Sequence, residues 1–350
     1  MSMRQVWING PERVEVRDVP IPRPGEGEVL VRMAYAGICG SDLHTLRRGH
    51  PWLPYPIAPG HEASGVVAEI GPGTSGFAVG DAVYLRPALH CGRCFYCRRG
   101  RENLCADLVG IGSHRPGAFA DHFAVPYAAL APVPAGVGLG AAAMTEPLAT
   151  AVHAVALAAG RGGRLDGCTA AVLGGGTIGQ CVLLAALDAG AGAVAVTDPV
   201  AAKRELATRL GAVAALDAAG PALEAGIADA LGGRPDVVFD CVATAGSLGV
   251  AISLSIRGGS VIVVGVGHGP LEVAIEAVQD QEIRIAGSAM YVPGDFTAAE
   301  RLIAAGAPVD RLVTSVRPVG DAPDALRTAA TGAEVKIHLS GPAAGRSQAS

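Results

Sequence analysis

The segment VLGGGTIG, residues 172–179, determines how the second half of this chain folds. It places Gly174, Gly176 and Gly179 in the spacing G-x-G-x-x-G, between an apolar strand and a helix that Thr177 opens. The first glycine allows a tight turn, the second admits a pyrophosphate, and the third lets the helix pack closely on the strand. Because the helix start also presents free N–H groups to phosphates, the segment predicts a dinucleotide site.

The strand that follows indicates which dinucleotide binds. It ends in AVAVTDP, which puts Asp198 24 residues after Gly174. A carboxylate there accepts hydrogen bonds from the adenosine ribose hydroxyls and repels a 2′-phosphate, which favours NAD over NADP. Lys203 is predicted to add a ribose contact. The competing interpretation is a cluster of turn glycines followed by a helix-capping Asp, since the chain contains 49 glycines.

The pattern of predicted strands and helices differs between the two halves of the chain. From about residue 168 to 265, apolar strands alternate with helices, which predicts a parallel sheet with helices on its faces. Residues 1–150 instead carry short strand-like runs between Gly and Pro, such as RVEVRDV, GEVLVRMAYAG, ASGVVAEIG and DAVYL. The fold class predicted is α/β, with a β-rich domain and a doubly wound parallel-sheet domain.

Half of the eight cysteines lie in CGRCFYCRRGRENLC, residues 91–105. The spacing Cys91-x2-Cys94-x2-Cys97-x7-Cys105 lets one loop surround a tetrahedral zinc ion with four thiolates. Such a site has no open position, so we expect a structural zinc and no chemistry there. An iron–sulfur cluster and four unrelated buried thiols are the alternatives.

A second set of metal-ligand residue types lies in GICGSDLH and PGHEASG. Cys39, His61 and Glu62 offer a thiolate, an imidazole and a carboxylate, which leaves a fourth position open, as in a catalytic zinc site. Taken singly, Cys39 fits a small core residue and His61 a structural histidine. The prediction therefore depends on the combination.

Bulk composition excludes several classes of partner. The 350 residues correspond to about two domains. The net charge of −5, from 27 basic and 32 acidic residues, argues against binding nucleic acid or an anionic membrane surface. The uncharged stretches 123–145 and 167–187 are interrupted by prolines or glycines, so we expect no membrane span. The start of the sequence has no long apolar run, and we expect a cytoplasmic protein.

Four motifs agree in order and spacing: GICGSDLH, GHE, the four-cysteine loop and GGGTIG followed by Asp198. With them the chain resembles the zinc-containing medium-chain alcohol dehydrogenase family over nearly its whole length. The resemblance implies a GroES-like catalytic domain of residues 1–150 and 290–350, interrupted by a Rossmann domain of residues 151–289. It also implies a homodimer or homotetramer that pairs through EIRIAGSAMY.

The resemblance assigns the ligands of the catalytic zinc. Cys39 and His61 match two of them. Where ethanol-oxidising members have cysteine, this chain has Glu146 in the sequence EPL, as in the sorbitol, butanediol and threonine dehydrogenase branch. In that branch Glu62, Glu146 or both in exchange complete the zinc shell together with a water, and both carboxylates are predicted here.

The remaining roles also come from the resemblance. Ser41 and His44 match the proton relay, and Thr150 and Ile178 match residues that pack on the nicotinamide ring. The implied mechanism uses zinc to lower the pKa of a substrate hydroxyl, the relay to remove its proton, and NAD to accept the hydride.

The expected substrate is a secondary alcohol of a polyol, cyclitol or vicinal diol, which is oxidised to a ketone. An L-threonine 3-dehydrogenase-like enzyme that oxidises an amino alcohol is the alternative activity. A non-catalytic protein on the same fold is the alternative of another class. Arg47, Arg48, Trp52 and Arg115 lie on loops that could face the substrate, although loop charges are usually only solvated.

Overall fold

The structure is a computed structural model that describes residues 1–160, 164–267 and 269–345. The chain divides into two compact units. Residues Met1–Glu146 and Ile303–Ser350 form the first, called here the β-rich unit, and Pro147–Leu302 form the second, called the parallel-sheet unit.

Strands occur in both units. Those in the described residues are β1 Ser2–Gly10, β2 Arg13–Pro20, β3 Glu28–Gly37, β4 Glu62–Ile70, β5 Ala82–Leu85, β6 Ala88–Leu89, β7 Val109–Gly110, β8 His122–Pro126, β9 Leu130–Pro132, β10 Thr169–Leu173, β11 Ala193–Thr197, β12 Ala214–Leu216, β13 Val237–Asp240, β14 Ser260–Val263, β15 Arg284–Gly287, β16 Val313–Pro318 and β17 Lys336–Ser340.

Helices connect the strands, most of them in the parallel-sheet unit. The α-helices in the described residues are α1 Gly40–Arg48, α2 Leu139–Ala143, α3 Thr145–Ala159, α4 Thr177–Asp188, α5 Ala201–Arg209, α6 Leu223–Leu231, α7 Ala245–Leu254, α8 Ile275–Asp280, α9 Pro293–Ala304 and α10 Ala322–Ala330. None of these helices is both long enough and apolar enough to cross a bilayer.

The β-rich unit is built on a seven-stranded sheet in the order β16-β17-β3-β4-β5-β9, with β8 also paired to β3. The ten residues of β3 hold two partners along one edge, β8 at Glu28–Arg32 and β17 at Tyr35–Gly37. The core packs on this sheet, with Val29, Val31 and Met33 of β3 fully buried. Alternation along β3 thus supplies the apolar face that the unit buries.

The register across three strands of this sheet brings Glu62, Gly37 and His338 next to one another. Gly37 of β3 lies opposite Glu62 of β4 on one side and opposite His338 of β17 on the other. Because side chains alternate with period two, Lys336 shares the face of His338. At Gly37 a Cβ would overlap the carboxylate of Glu62. The missing side chain therefore gives Glu62 the space it occupies.

The parallel-sheet unit has six strands in the order β12-β11-β10-β13-β14-β15, all parallel. Counted from β10, this is the strand order 3-2-1-4-5-6 of a dinucleotide-binding Rossmann fold. Its core joins fully buried residues of central strands and helices, such as Ala171, Val238 and Ala251. The α/β fold class predicted from the sequence, a β-rich domain with a doubly wound parallel sheet, is confirmed.

Candidate functional site

The first predicted metal ligand is the capping residue of a helix. Cys39 precedes α1 in an extended conformation, and Asp42 in the first turn accepts a hydrogen bond from the Cys39 backbone N–H at 2.9 Å. This capping box fixes the backbone from which the Cys39 side chain projects. It also puts a buried carboxylate directly behind the predicted ligand, because Asp42 is only 4% exposed.

His61 lies between this carboxylate and the thiol. Its Nδ1 is 3.7 Å from an Asp42 oxygen, an electrostatic contact longer than a hydrogen bond. Burial lowers the pKa of His61, but the charge of Asp42 and a hydrogen bond with Cys39 outweigh it, so that the pKa lies well above its ordinary value. A zinc-ligating histidine usually has a carboxylate near its other ring nitrogen, which orients the imidazole, and Asp42 lies on that side of His61.

Glu62, the first residue of β4, is buried against a lysine that the sequence analysis did not identify. The Nζ of Lys336 donates to both Glu62 oxygens, at 2.6 and 2.9 Å, and to the Ile38 carbonyl at 2.9 Å. The two side chains are 2% and 1% exposed. Burial raises the pKa of Glu62, but the charge of Lys336 outweighs it and lowers that pKa overall. Glu62 is therefore held as a carboxylate.

The set of nearby donor atoms can be compared with the predicted ligands. Possible ligand atoms of Cys39, His61 and Glu62 lie within 4.8 Å of one another. Among the described residues no further His, Cys, Asp or Glu belongs to this group, so Glu146 is not part of it. Glu146 lies in the first turn of α3 and is 7% exposed. A thiolate, an imidazole and a carboxylate at this spacing fit a zinc ion with one open position.

The predicted proton relay lies on the helix that Cys39 caps. Ser41 is exposed at the start of α1, and His44 is half-buried three residues further on. Residues three apart on a helix are neighbours on one face. The relay pair and the thiolate ligand are therefore positioned by the same short helix.

The four-cysteine loop has the dimensions of a zinc site. Its Sγ–Sγ distances include 3.5 Å from Cys94 to Cys97, 4.0 Å from Cys94 to Cys105 and 4.0 Å from Cys91 to Cys97. A tetrahedron of thiolates about 2.3 Å from zinc has edges of about 3.8 Å. Backbone N–H groups, first that of Cys97, lower the pKa of Cys94 to about 6. Burial raises the pKa of Cys97 to about 12, so the structure shows the position of the four sulfurs rather than four thiolates. Within the described residues this group contains only cysteines.

The glycine turn in the parallel-sheet unit has the geometry of a dinucleotide cradle. Gly174 has φ +94°, and a Cβ on Gly179 would overlap the Gly174 carbonyl. Gly176 caps α4, and the space next to it is open. Thr177 and Ile178 form the first turn of α4. The three glycines therefore provide a tight turn, open space and close helix packing, respectively.

Asp198 lies directly after β11 and beside this turn. Its oxygens accept hydrogen bonds from the N–H groups of Gly175 at 2.9 Å and Val200 at 2.8 Å. These bonds hold the carboxylate next to the glycine turn. Lys203 is 8% exposed on α5, and its carbonyl accepts a bond from Gln180. Thr150 is half-buried on α3 of the same unit.

The four residues on the predicted substrate loops differ in their contacts. Arg47 donates to the carbonyl of Ala330. Arg115 forms an ion pair with Glu28. Arg48 is exposed, and Trp52 is 81% exposed. Arg47 and Arg115 therefore have polar partners within the β-rich unit.

Two family models match the chain. Residues 25–135 match the alcohol dehydrogenase GroES-like domain, and residues 177–305 match the zinc-binding dehydrogenase domain. The first match includes the four-cysteine loop, and the second begins at Thr177, where the glycine turn leads into α4.

Full-length relatives are also found. The 2-dehydro-3-deoxy-L-galactonate 5-dehydrogenase of Pseudoalteromonas atlantica is 35% identical over 85% of this chain and 86% of its own length. The sorbitol dehydrogenase of Halalkalibacterium halodurans is 33% identical over 84% of this chain and 86% of its own length. A zinc-binding dehydrogenase of Sinorhizobium meliloti, solved with NADP, superposes with a TM-score of 0.89 at 34% identity, over 97% of this chain and 99% of its own.

Proposed function

The chain belongs to the zinc-containing medium-chain alcohol dehydrogenase family, and from that premise we propose that it oxidises a secondary alcohol of a polyol, sugar acid or vicinal diol to a ketone with NAD. The observation that carries this proposal is the convergence of Cys39, His61 and Glu62 around one point. Three protein ligands leave one of the four positions of a tetrahedral zinc ion for a substrate oxygen.

The residues fit two zinc ions per chain. Cys39, His61 and a carboxylate, Glu62 or Glu146, would hold the catalytic ion, and the four-cysteine loop would hold the structural one. When bound, the catalytic zinc lowers the pKa of the substrate hydroxyl as a Lewis acid, and NAD accepts the hydride.

The protein's own groups handle the proton. The Ser41 hydroxyl accepts the proton from the substrate hydroxyl and gives up its own to His44, which releases a proton to solvent, the shuttle role in which histidine is most often found. Asp42 keeps His61 oriented, and Lys336 keeps Glu62 ionised. These buried charges preorganise the site before substrate arrives.

Glu146 supports a substrate with a second hydroxyl. A buried carboxylate in place of the cysteine of ethanol-oxidising members makes the site more negative and more polar. A site that pairs a substrate hydroxyl discriminates strongly against analogues that lack it, because its own polar groups are then left unpaired. The sugar-acid and sorbitol dehydrogenases among the relatives act on such polyhydroxylated molecules, according to their names.

Asp198 supports NAD as the cofactor, with Gly174, Gly176, Thr177, Ile178 and Gly179 around the pyrophosphate, and Lys203 and Thr150 as further contacts. An ionised carboxylate fixed next to the ribose position repels a 2′-phosphate. Because one solved relative contains NADP, the preference of this chain is tested by comparing kcat/KM with NAD and with NADP.

We also infer a cytoplasmic homo-oligomer, dimer or tetramer. Support comes from β15, which is an edge strand of its sheet, with Ile285 39% exposed. An unpaired edge with exposed apolar residues is a ready surface for pairing with a second copy. Light scattering that reports only the 35.0 kDa monomer would exclude this inference.

The test of function is a substrate panel with NAD. A vicinal diol should give a higher kcat/KM than the matching mono-alcohol, and Glu146→Cys should reduce that ratio mainly by slowing the diol. L-threonine as the best substrate would replace the polyol assignment with the amino-alcohol one. A best rate with simple primary alcohols would refute it while leaving the dehydrogenase class intact.

A further inference from the structure

Three aromatic rings on two loops of the β-rich unit form a cluster that the proposed chemistry does not use. The ring of His50 lies edge-on to Trp52, with 5.7 Å between centroids, and edge-on to His114, with 6.2 Å between centroids. Trp52 is nevertheless 81% exposed. Trp52 thus combines an edge contact to one ring with an indole that is mostly open to solvent. We call these three residues the ring cluster.

Hydrogen bonds orient both imidazoles in this cluster. The Nδ1 atom of His114 accepts from the backbone N–H of Gly110 at 3.1 Å, and the Nδ1 of His50 faces the N–H of Trp52 at 3.4 Å. Burial, and secondarily His114, lowers the pKa of His50, which keeps its ring neutral at pH 7. A neutral imidazole that accepts at Nδ1 carries its proton on Nε2. Each ring therefore offers one N–H donor.

The two loops meet beside the predicted metal ligand His61. A Cβ on Gly112 would lie 2.8 Å from the Gly60 carbonyl, and Ala118 donates to that same carbonyl at 2.9 Å. His114 follows Gly112 by two residues, which limits the separation of their Cα atoms to about 7 Å. Residues 49–60, which include His50 and Trp52, connect the end of α1 to His61. The ring cluster thus belongs to the loops that flank the candidate zinc site.

We propose that the ring cluster is a second substrate subsite, which binds the polyhydroxylated carbon chain beyond the reacting carbon of a five- or six-carbon polyol or sugar acid. This proposal rests on the proposed function and deepens it. It places specificity for substrate length in Trp52, His50 and His114.

The chemistry of the rings matches such a chain. The face of an indole carries partial negative charge and attracts the slightly positive C–H hydrogens on one side of a polyol. The Nε2–H groups of His50 and His114 donate to hydroxyl or carboxylate oxygens on its other side. Apolar contact combined with a few placed donors is the usual composition of a small-molecule site. 2,3-Butanediol carries no hydroxyl beyond its vicinal pair, so it offers the ring cluster no hydroxylated chain to bind.

Kinetics of Trp52→Ala test the subsite. For sorbitol and L-galactonate we expect kcat/KM to fall about tenfold, mainly through KM, the pattern of lost uniform binding. For 2,3-butanediol kcat/KM should stay within about twofold of the wild type, because that diol has no hydroxylated chain beyond its vicinal pair. Tyr127→Ala is the matched control, since Tyr127 is another exposed aromatic of the same unit, at 42%. An equal loss for butanediol, or no loss for either long substrate, overturns the proposal.

Fluorescence tests binding without turnover. The chain has two tryptophans, Trp7 and Trp52, so the difference between wild type and Trp52→Phe reports Trp52 alone. Sorbitol or L-galactonate added to zinc-loaded, cofactor-free protein should protect Trp52 from acrylamide quenching, whereas 2,3-butanediol should not. Protection without turnover would support the subsite and refute the proposed reaction. Turnover of the long substrates without protection would refute the subsite alone.

Discussion

Replacing Lys336 with Met should destabilise the β-rich unit by several kcal/mol. The substitution removes the ammonium group that bonds both oxygens of Glu62, in a pair whose side chains are at most 2% exposed. Removing one partner of a buried ion pair costs about 3–5 kcal/mol, since the other charge stays buried without compensation. At about 2–4 °C per kcal/mol for a unit of this size, the melting temperature should fall by roughly 6–20 °C.

Thermal unfolding at pH 7 measures this effect, with Arg301→Met as the control. Arg301 pairs with Asp188 on the surface, where its side chain is 60% exposed, and such a pair contributes at most about 1 kcal/mol. Adding Glu62→Gln to Lys336→Met should recover much of the loss, because no buried charge then remains. The deficit of Lys336→Met should also shrink with falling pH, because the stabilisation from the wild-type pair is fully present above 4.5, the ordinary pKa of a glutamate, and is lost as the pH falls from there through the lowered pKa of Glu62. A fall no larger than that of Arg301→Met would refute the account of the buried pair.

Three further predictions follow from the other sites. Cys94→Ser should lose one zinc per chain and melt at a lower temperature, whereas Cys168→Ser, outside the cluster, should keep both properties, as metal analysis and calorimetry will show. Burial lowers the pKa of His338 to about 4. Between pH 6.5 and pH 4 only the unfolded chain therefore takes up this proton, and the free energy of unfolding should decline by about 3 kcal/mol over that range. His338→Phe should abolish this pH dependence in urea titrations. Asp198→Ser should reduce the NAD-to-NADP ratio of kcat/KM about tenfold, the effect of about 1.4 kcal/mol of relieved repulsion, and an unchanged ratio would contradict the cofactor assignment.

Much of the fold was predictable because its signals are local. The glycine spacing, the continuous apolar strands and the short alternating runs each span fewer than about ten residues, the scale at which side-chain periodicity acts. The cysteine loop was predictable for the same reason, since all four ligands lie within residues 91–105. The residue types of the second metal set were also visible, in Cys39, His61 and Glu62.

The charges that surround that set were not predicted. Lys336 meets Glu62 across 274 positions of sequence, through the pairing of β17 with β3 and of β3 with β4. No local pattern encodes such a pairing. The one available signal was a lysine and a histidine inside the apolar strand KIHLS, where charged residues are rarely buried without a partner. Asp42 was missed although its spacing from Cys39 is that of a capping box.

The most direct test of the account measures zinc and NAD reduction on the same preparations of wild type and Cys39→Ser. We expect two zinc ions per chain and NADH formation from a vicinal diol in the wild type. In the variant we expect one zinc ion, no NADH formation and an intact four-cysteine site. Active wild-type protein with one zinc or none, or a Cys39→Ser variant that keeps its full rate, would contradict the central claim that Cys39 and His61 hold a catalytic metal.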